Sequence, residues 1–126
     1  MFTVDTMSRQ PIYEQLVYQI EQLVLSGLLK SGDPLPSVRS LSVELAVNPN
    51  TIQRAYSELE ARGILCAVPG RGCFITAEAG SCLEQKARRR LEELDGLLRE
   101  LALAGITEEE IQARVRAAYP KEGTVL

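Results

Sequence analysis

The chain contains no histidine. That removes Ser-His-Asp and Cys-His catalysis, zinc sites that need imidazole, and the usual proton shuttle near neutral pH. No apolar run approaches the roughly 20 residues that cross a bilayer, so no membrane partner is expected. Cysteine is scarce and odd in number: Cys66, Cys73 and Cys82, with no Cys-x-x-Cys spacing. Neither a disulfide framework nor a metal site is expected from such a set. The opening Met1-Phe2-Thr3-Val4-Asp5 lacks the basic start and long apolar stretch of a secretory signal, which points to a reducing, cytoplasmic setting. Paired carboxylates, a nucleophile–base pair and a phosphate-cradling glycine loop are all missing, so neither catalysis nor a cofactor is expected. Positive charge is not in excess either. With 14 basic against 17 acidic side chains the formal charge is −3. Any grip on nucleic acid must therefore come from a few well-placed cations.

What remains is ordinary in bulk. The 126 residues are 45% hydrophobic and 25% charged, close to the averages for soluble globular domains. That length suits one small domain with an appendage. Sequence character changes near Ala77-Glu78-Ala79-Gly80-Ser81. Residues 1–76 carry six cations and seven anions, leaving eight of the 14 cations and ten of the 17 anions for a shorter Leu/Glu/Arg-rich segment. The division expected is a first unit over 10–78, a helical segment over 81–120, and a frayed tail over 121–126.

Within the first unit, Pro11 opens a helix as its first residue, and Ile12, Leu16, Ile20 and Leu23 recur at helical spacing. Ser26-Gly27 ends it, and Lys30 to Pro36 reads as a loop dense in turn formers. Ser37 caps a short second helix with Val38, Leu41 and Leu45 on one face. Asn48-Pro49 is a strong restart signal for a third helix to about Arg62, with Ile52, Ala55, Tyr56 and Leu59 inward. After Gly63 the period shortens. Residues 64–68 and 73–76 read as β-prone runs joined by Pro69-Gly70-Arg71-Gly72, a hairpin with an arginine at its tip. The fold class is mainly α with a small β-hairpin: an N-terminal winged helix-turn-helix followed by a short two-helix segment.

If the third helix buries Ile52, Ala55 and Leu59, a helical wheel leaves Asn50, Arg54 and Ser57 opposite, flanked by Thr51 and Gln53. Asn and Gln pair bidentately with adenine and Arg with guanine, and a helix N-terminus offers free N–H groups to phosphate. Taken singly, Asn48 and Asn50 are explained by capping, and Gln53 and Arg54 by a solvated helix surface. Taken together with Arg39, in the first turn of the preceding helix, and Arg71, at a glycine-flanked tip, they describe one DNA-facing surface.

From Pro11 to Thr76 the chain resembles the DNA-binding domain of the GntR family of bacterial transcriptional regulators. The residues that carry the likeness are Pro11-Ile12-Tyr13-Glu14-Gln15, Gly27, Gly32-Asp33-Pro34-Leu35-Pro36-Ser37-Val38-Arg39, Asn48-Pro49-Asn50-Thr51-Ile52, Arg54-Ala55-Tyr56, Leu59-Glu60, Gly63 and Gly70-Arg71-Gly72. The resemblance implies a homodimer that represses or activates at a (pseudo)palindromic DNA operator. Carried over by position, it implies contacts from Ser37 and Arg39 on the second helix. It further implies contacts from Asn50, Thr51, Gln53 and Arg54 on the recognition helix, about 49–62, and from Gly70, Arg71 and Gly72 in the minor groove (wing 69–72). Cys73 departs from the threonine more usual in the family.

Beyond Ser81, Leu83, Ala87, Leu91, Leu94, Leu98 and Leu101 recur at three- and four-residue steps, the seam of one helix that packs on another. Gly105 breaks it, Thr107 with Glu110 forms a capping box for a second helix, and Pro120 closes that helix. Two short helices cannot enclose an effector cavity by themselves. The chain is accordingly most similar to the YtrA-like subfamily, in which a short helical tail implies dimerisation. The basic run Lys86, Arg88, Arg89 and Arg90 is flanked by carboxylates and reads as an ion-paired surface. Two alternatives stand beside the DNA reading: a redox or metal sensor using the three cysteines, and a winged helix kept for protein interaction alone.

Overall fold

The computed structural model describes residues 2–120. Its first helix, α1 (Ile12–Leu25), starts one residue later than the Pro11 signal predicts. Pro11 is the N-cap, at φ −55 and ψ 147, and its carbonyl accepts from the Gln15 N–H at 3.2 Å. The proline ring sets φ equally well for a cap and for a first helical residue, so the sequence leaves that one-residue ambiguity. Leu16, Val17 and Ile20 turn inward.

Residues read as a loop contain a strand. β1 (Pro34–Leu35) is the edge of a three-stranded antiparallel sheet with β2 (Leu65–Val68) and β3 (Gly72–Ile75), in the order β1-β3-β2. Two residues carry no periodicity, and a proline at an edge needs no ladder N–H, so nothing in the sequence marks this strand. Its pairing is Pro34 with Phe74 and Leu35 with Cys73. β2 pairs Leu65 with Ile75, Cys66 with Phe74, Ala67 with Cys73 and Val68 with Gly72.

α2 (Val38–Leu45) is capped by Ser37, whose hydroxyl oxygen accepts from the Ser40 N–H at 3.0 Å. It ends at Ala46, in the left-handed region at φ 55, and the Val47 N–H closes back on the Ser42 carbonyl at 3.0 Å. Alanine has no preference for that region, so the tight turn was invisible in the sequence. α3 (Pro49–Ala61) follows, with the Asn48 side chain accepting from the Asn50 N–H at 2.8 Å. Ile52, Ala55, Tyr56 and Leu59 are buried, as the spacing predicts. They meet Leu16, Ile20, Leu41 and Ile64 in one core.

That core also recruits residues outside the expected 10–78. Phe2 is buried in it. The Gln15 amide donates to the Asp5 carbonyl at 3.0 Å and the Gln10 carbonyl at 2.8 Å, and accepts from the Asp5 N–H at 2.8 Å. Gln19 and Thr3 exchange hydrogen bonds one turn further along. The first unit accordingly spans Met1–Glu84 and the second Gln85–Leu126.

The seam expected as one helix is two. α4 (Ala79–Arg89) and α5 (Leu91–Leu103) are interrupted at Arg90, so the segment over 81–120 holds three helices with α6 (Glu108–Ala118), not two. Arg90 bonds the Ala87 carbonyl three residues back at 3.0 Å, and its guanidinium reaches Glu93 at 3.2 Å. No glycine or proline marks the interruption, and the leucine period runs straight through it. Leu83 is also corrected: it is 4% exposed and belongs with Ala79 to the core of the first unit, not to a dimerisation seam. Thr107 caps α6 by accepting from the Glu110 N–H at 3.3 Å, as the capping box predicts. In the second unit no described residue is buried. The tail at 121–126, expected to fray, lies outside the described residues.

Candidate nucleic-acid interface

α3 presents Asn50, Gln53 and Arg54 to solvent and leaves Thr51 half-buried. The Asn48 side chain is consumed by capping, so Asn50 is the first amide on the helix left to face outward. The Gln53 amide nitrogen donates to the Ser57 hydroxyl at 3.1 Å, which steadies it along the helix. The Arg54 guanidinium lies over the Tyr13 ring of α1, 3.8 Å from its centroid. Pro11, Ile12, Tyr13, Asn50, Thr51 and Arg54 together line one open depression where the starts of α1 and α3 meet.

The start of α2 is fastened to α3 by a buried phenol. Tyr56 is 3% exposed, and its hydroxyl donates to the Pro36 carbonyl at 2.6 Å. Burial raises this phenol well above its ordinary pKa, with the neighbouring Cys73 adding a smaller part, so it stays a neutral donor. Pro36 immediately precedes the Ser37 cap, and the bond therefore fixes where Ser37 and Arg39, both exposed, leave the sheet for the helix.

The wing is built by turn chemistry. The Arg71 N–H donates to the Val68 carbonyl at 2.9 Å, with Pro69 and Gly70 as the two central residues and Gly70 at φ 77. Proline followed by a residue at positive φ is a type II turn. Gly72, at φ 110, is likewise in a region that side chains avoid, although a Cβ at either glycine would meet nothing within 4 Å. The need for glycine is thus conformational, and it also keeps the tip narrow around the exposed Arg71. Because Leu35 pairs with Cys73, the strand that leads to Ser37 and the strand that leaves the wing are hydrogen-bonded neighbours. One small sheet positions both.

Charge is distributed in favour of this surface despite the acidic total. Arg62 donates through Nε to Glu58 at 3.0 Å and through Nη1 to Glu21 of α1 at 3.1 Å. Burial alone would lower the Arg62 pKa, but its two carboxylate partners outweigh that and raise it. Glu58, the carboxylate nearest the outward face of α3, is paired in the process. Among the described residues, Arg39, Arg54 and Arg71 pair with no carboxylate.

The cysteines behave differently from an activated set. Cys66 shares a face with Phe74 and Cys73 with Ala67, so the two thiols point to opposite sides of the sheet. Burial pushes the Cys73 thiol up, with Glu60 and Cys66 adding, the reverse of the lowered pKa that a reactive thiol needs. No group of three or more His, Cys, Asp or Glu among the described residues is arranged to hold a metal ion. Nor is any helix among them long and apolar enough to cross a membrane.

Sequence reasoning missed two contributors. Tyr56 was placed in the core, but its hydroxyl partner, 20 residues away, has no local signal. Tyr13 sits beside the apolar stripe of α1, and only the packing of α1 on α3 brings it to Arg54.

Comparison with known proteins agrees with this architecture. Residues 12–75 match the family described as bacterial regulatory proteins, gntR family. The HTH-type transcriptional repressor YtrA of Bacillus subtilis (strain 168) is 39% identical over 117 residues, covering 92% of this chain and 90% of that protein. A transcriptional regulator from Oenococcus oeni superposes with a TM-score of 0.72 at 34% identity, covering 93% of this chain and 98% of that one. The AraR DNA-binding domain, solved in complex with operator ORE1, superposes at 0.51 and 26% identity, covering 60% of this chain and 95% of that one. These relatives are transcriptional regulators, not enzymes. The chain belongs to the gntR family of bacterial regulatory proteins, DNA-binding transcriptional regulators with a winged helix-turn-helix.

Proposed function

We propose that the chain is a cytoplasmic repressor that binds an inverted-repeat operator as a homodimer. α3 enters the major groove and the wing at Pro69–Gly72 enters the adjacent minor groove. Asn50 and Gln53 read base edges, while Ser37, Arg39, Thr51 and Arg54 hold the phosphate backbone beside them. Gly70 and Gly72 let Arg71 reach into the minor groove. The observation that carries this reading is the set of three arginines, one on each DNA-facing element, none of which has a carboxylate partner among the described residues. A weakly acidic domain that binds a polyanion must leave its few cations available.

Dimerisation through the second unit is supported by what that unit lacks. Its helices bury nothing, and Leu91, Leu94 and Leu97 stay 52%, 46% and 50% exposed. With Ala87, they line one open apolar depression. Half-buried Leu98 and Leu101 continue the stripe. A second copy of the same stripe covers it under two-fold symmetry. In this reading the two α3 helices occupy successive major grooves, which lie about 34 Å apart on the duplex. Repression, rather than activation, follows the similarity to the Bacillus repressor. The test is selection of random-sequence duplex DNA on the purified chain at a stated salt concentration. Recovery of an inverted repeat supports the reading. A folded, dimeric chain that recovers no motif overturns it in favour of a protein-interaction module.

A further inference from the structure

The stacking of Arg54 on Tyr13 is a contact between two elements, α1 and α3, on a surface that the proposed function gives to DNA. A cation over an aromatic face uses the flat side of the guanidinium, whereas its five N–H donors lie in the plane. Among the described residues those donors have no hydrogen-bond partner. The Arg54 head is therefore held in place with its whole donor edge still to be used. Tyr13 is half-buried and its ring packs against the core, while its hydroxyl donates to the Glu14 carboxylate at 3.3 Å. Tyr13 and Arg54 line, with Pro11, Ile12, Asn50 and Thr51, one open depression at the N-terminal turn of α3.

We propose that Tyr13 is the positioning residue for Arg54, holding its guanidinium as a preset fork for one phosphate of the DNA backbone beside the recognition helix. This inference rests on the DNA-binding reading. An unsupported arginine loses much of its rotamer freedom when it forms such a bond; one already stacked has lost it before binding. The phosphate is preferred to a base because the stack ties Arg54 back towards Tyr13 of α1. Tyr13 acts through Arg54, and the tyrosine hydroxyl takes no part.

The experiment is a double-mutant cycle on the full chain with the selected duplex, read as affinity over a salt series. Tyr13→Leu is expected to weaken binding roughly three- to tenfold, uniformly across operator sequences, the range of an exposed to partly desolvated cation–π contact. Tyr13→Phe, which keeps the ring, is expected to retain wild-type affinity. Arg54→Ala is expected to weaken binding and to reduce the salt slope by about one. In the Arg54→Ala background, Tyr13→Leu is expected to cost nothing more. Thermal unfolding of each variant separates lost folding from lost positioning. Additive losses, or a Tyr13→Phe defect as large as that of Tyr13→Leu, overturn the inference and leave DNA binding intact. Failure of the wild-type chain to bind any duplex overturns the inference and the function together.

Discussion

Replacing Tyr56 by Phe removes one oxygen from a polar contact made by a buried side chain behind the proposed DNA-facing surface. The ring remains in the core; what is lost is the 2.6 Å bond to the Pro36 carbonyl. A net hydrogen bond contributes about 1 kcal/mol, and an acceptor left without its donor costs about 1–3 kcal/mol where water cannot reach it. A loss of about 1–2 kcal/mol near pH 8 is expected, or a fall in Tm of roughly 5–10 °C for a unit of this size. The pH dependence makes the test specific. The folded-state phenol is raised above its ordinary value. Its stabilising contribution is therefore fully present below the unfolded pKa of about 10 and is lost as pH rises beyond it, because the unfolded chain ionises first. One pH unit above that value the wild type gives up about 1.4 kcal/mol that the Phe variant, with nothing to ionise, does not. Urea unfolding of both proteins at pH 8 and pH 11 should show the gap between them nearly closing. Parallel curves, with the gap unchanged, would refute the claim that a buried neutral hydroxyl fastens the start of α2 to α3.

Three further outcomes follow from the same geometry. Arg71→Ala should weaken DNA binding across all sequences and reduce the salt slope by about one, whereas Gln53→Ala should relax preference at a single base pair; anisotropy titrations over a salt series separate the two, and unchanged affinity and preference in both would remove this surface from consideration. Leu83→Ala should cost about 2–4 kcal/mol of stability without altering oligomeric state, while Leu94→Glu should do the reverse and yield a folded monomer by sedimentation velocity; the opposite pattern would return Leu83 to the dimer seam. Arg62→Met should destabilise the first unit by about 1 kcal/mol, a modest figure because Arg62 is 39% exposed and screened although Glu21 is 9% exposed, and calorimetry in low and high salt should show the loss shrinking as salt rises.

The sequence disclosed what is decided within a few residues. Ser37, Asn48 and Thr107 were legible as caps because capping is a bond between a side chain and an N–H two or three residues on. The wing was legible because Pro69-Gly70 dictates its own turn, and the inward face of α3 because helical spacing dictates it. What stayed hidden depends on partners far along the chain. β1 exists only because β3 lies beside it, Phe2 is held by residues beyond Leu16, and the 3.8 Å stack of Arg54 on Tyr13 needs α1 to cross α3. Leu83 shows how periodicity misleads: it keeps the spacing of Leu91 and Leu94, but the first half of α4 belongs to the other unit's core. The break at Arg90 has no sequence marker at all, because arginine is a good helix former.

In the proposed complex two copies of α3 and two wings face one duplex. Hydroxyl-radical footprinting of the selected operator distinguishes this arrangement from others, with wild-type chain beside Arg71→Ala at matched occupancy. Two protected patches related by two-fold symmetry and spaced by about one helical turn or a multiple of it are predicted, with minor-groove protection at the flanks lost in Arg71→Ala alone. A single patch, or flanks protected equally in both proteins, would contradict it.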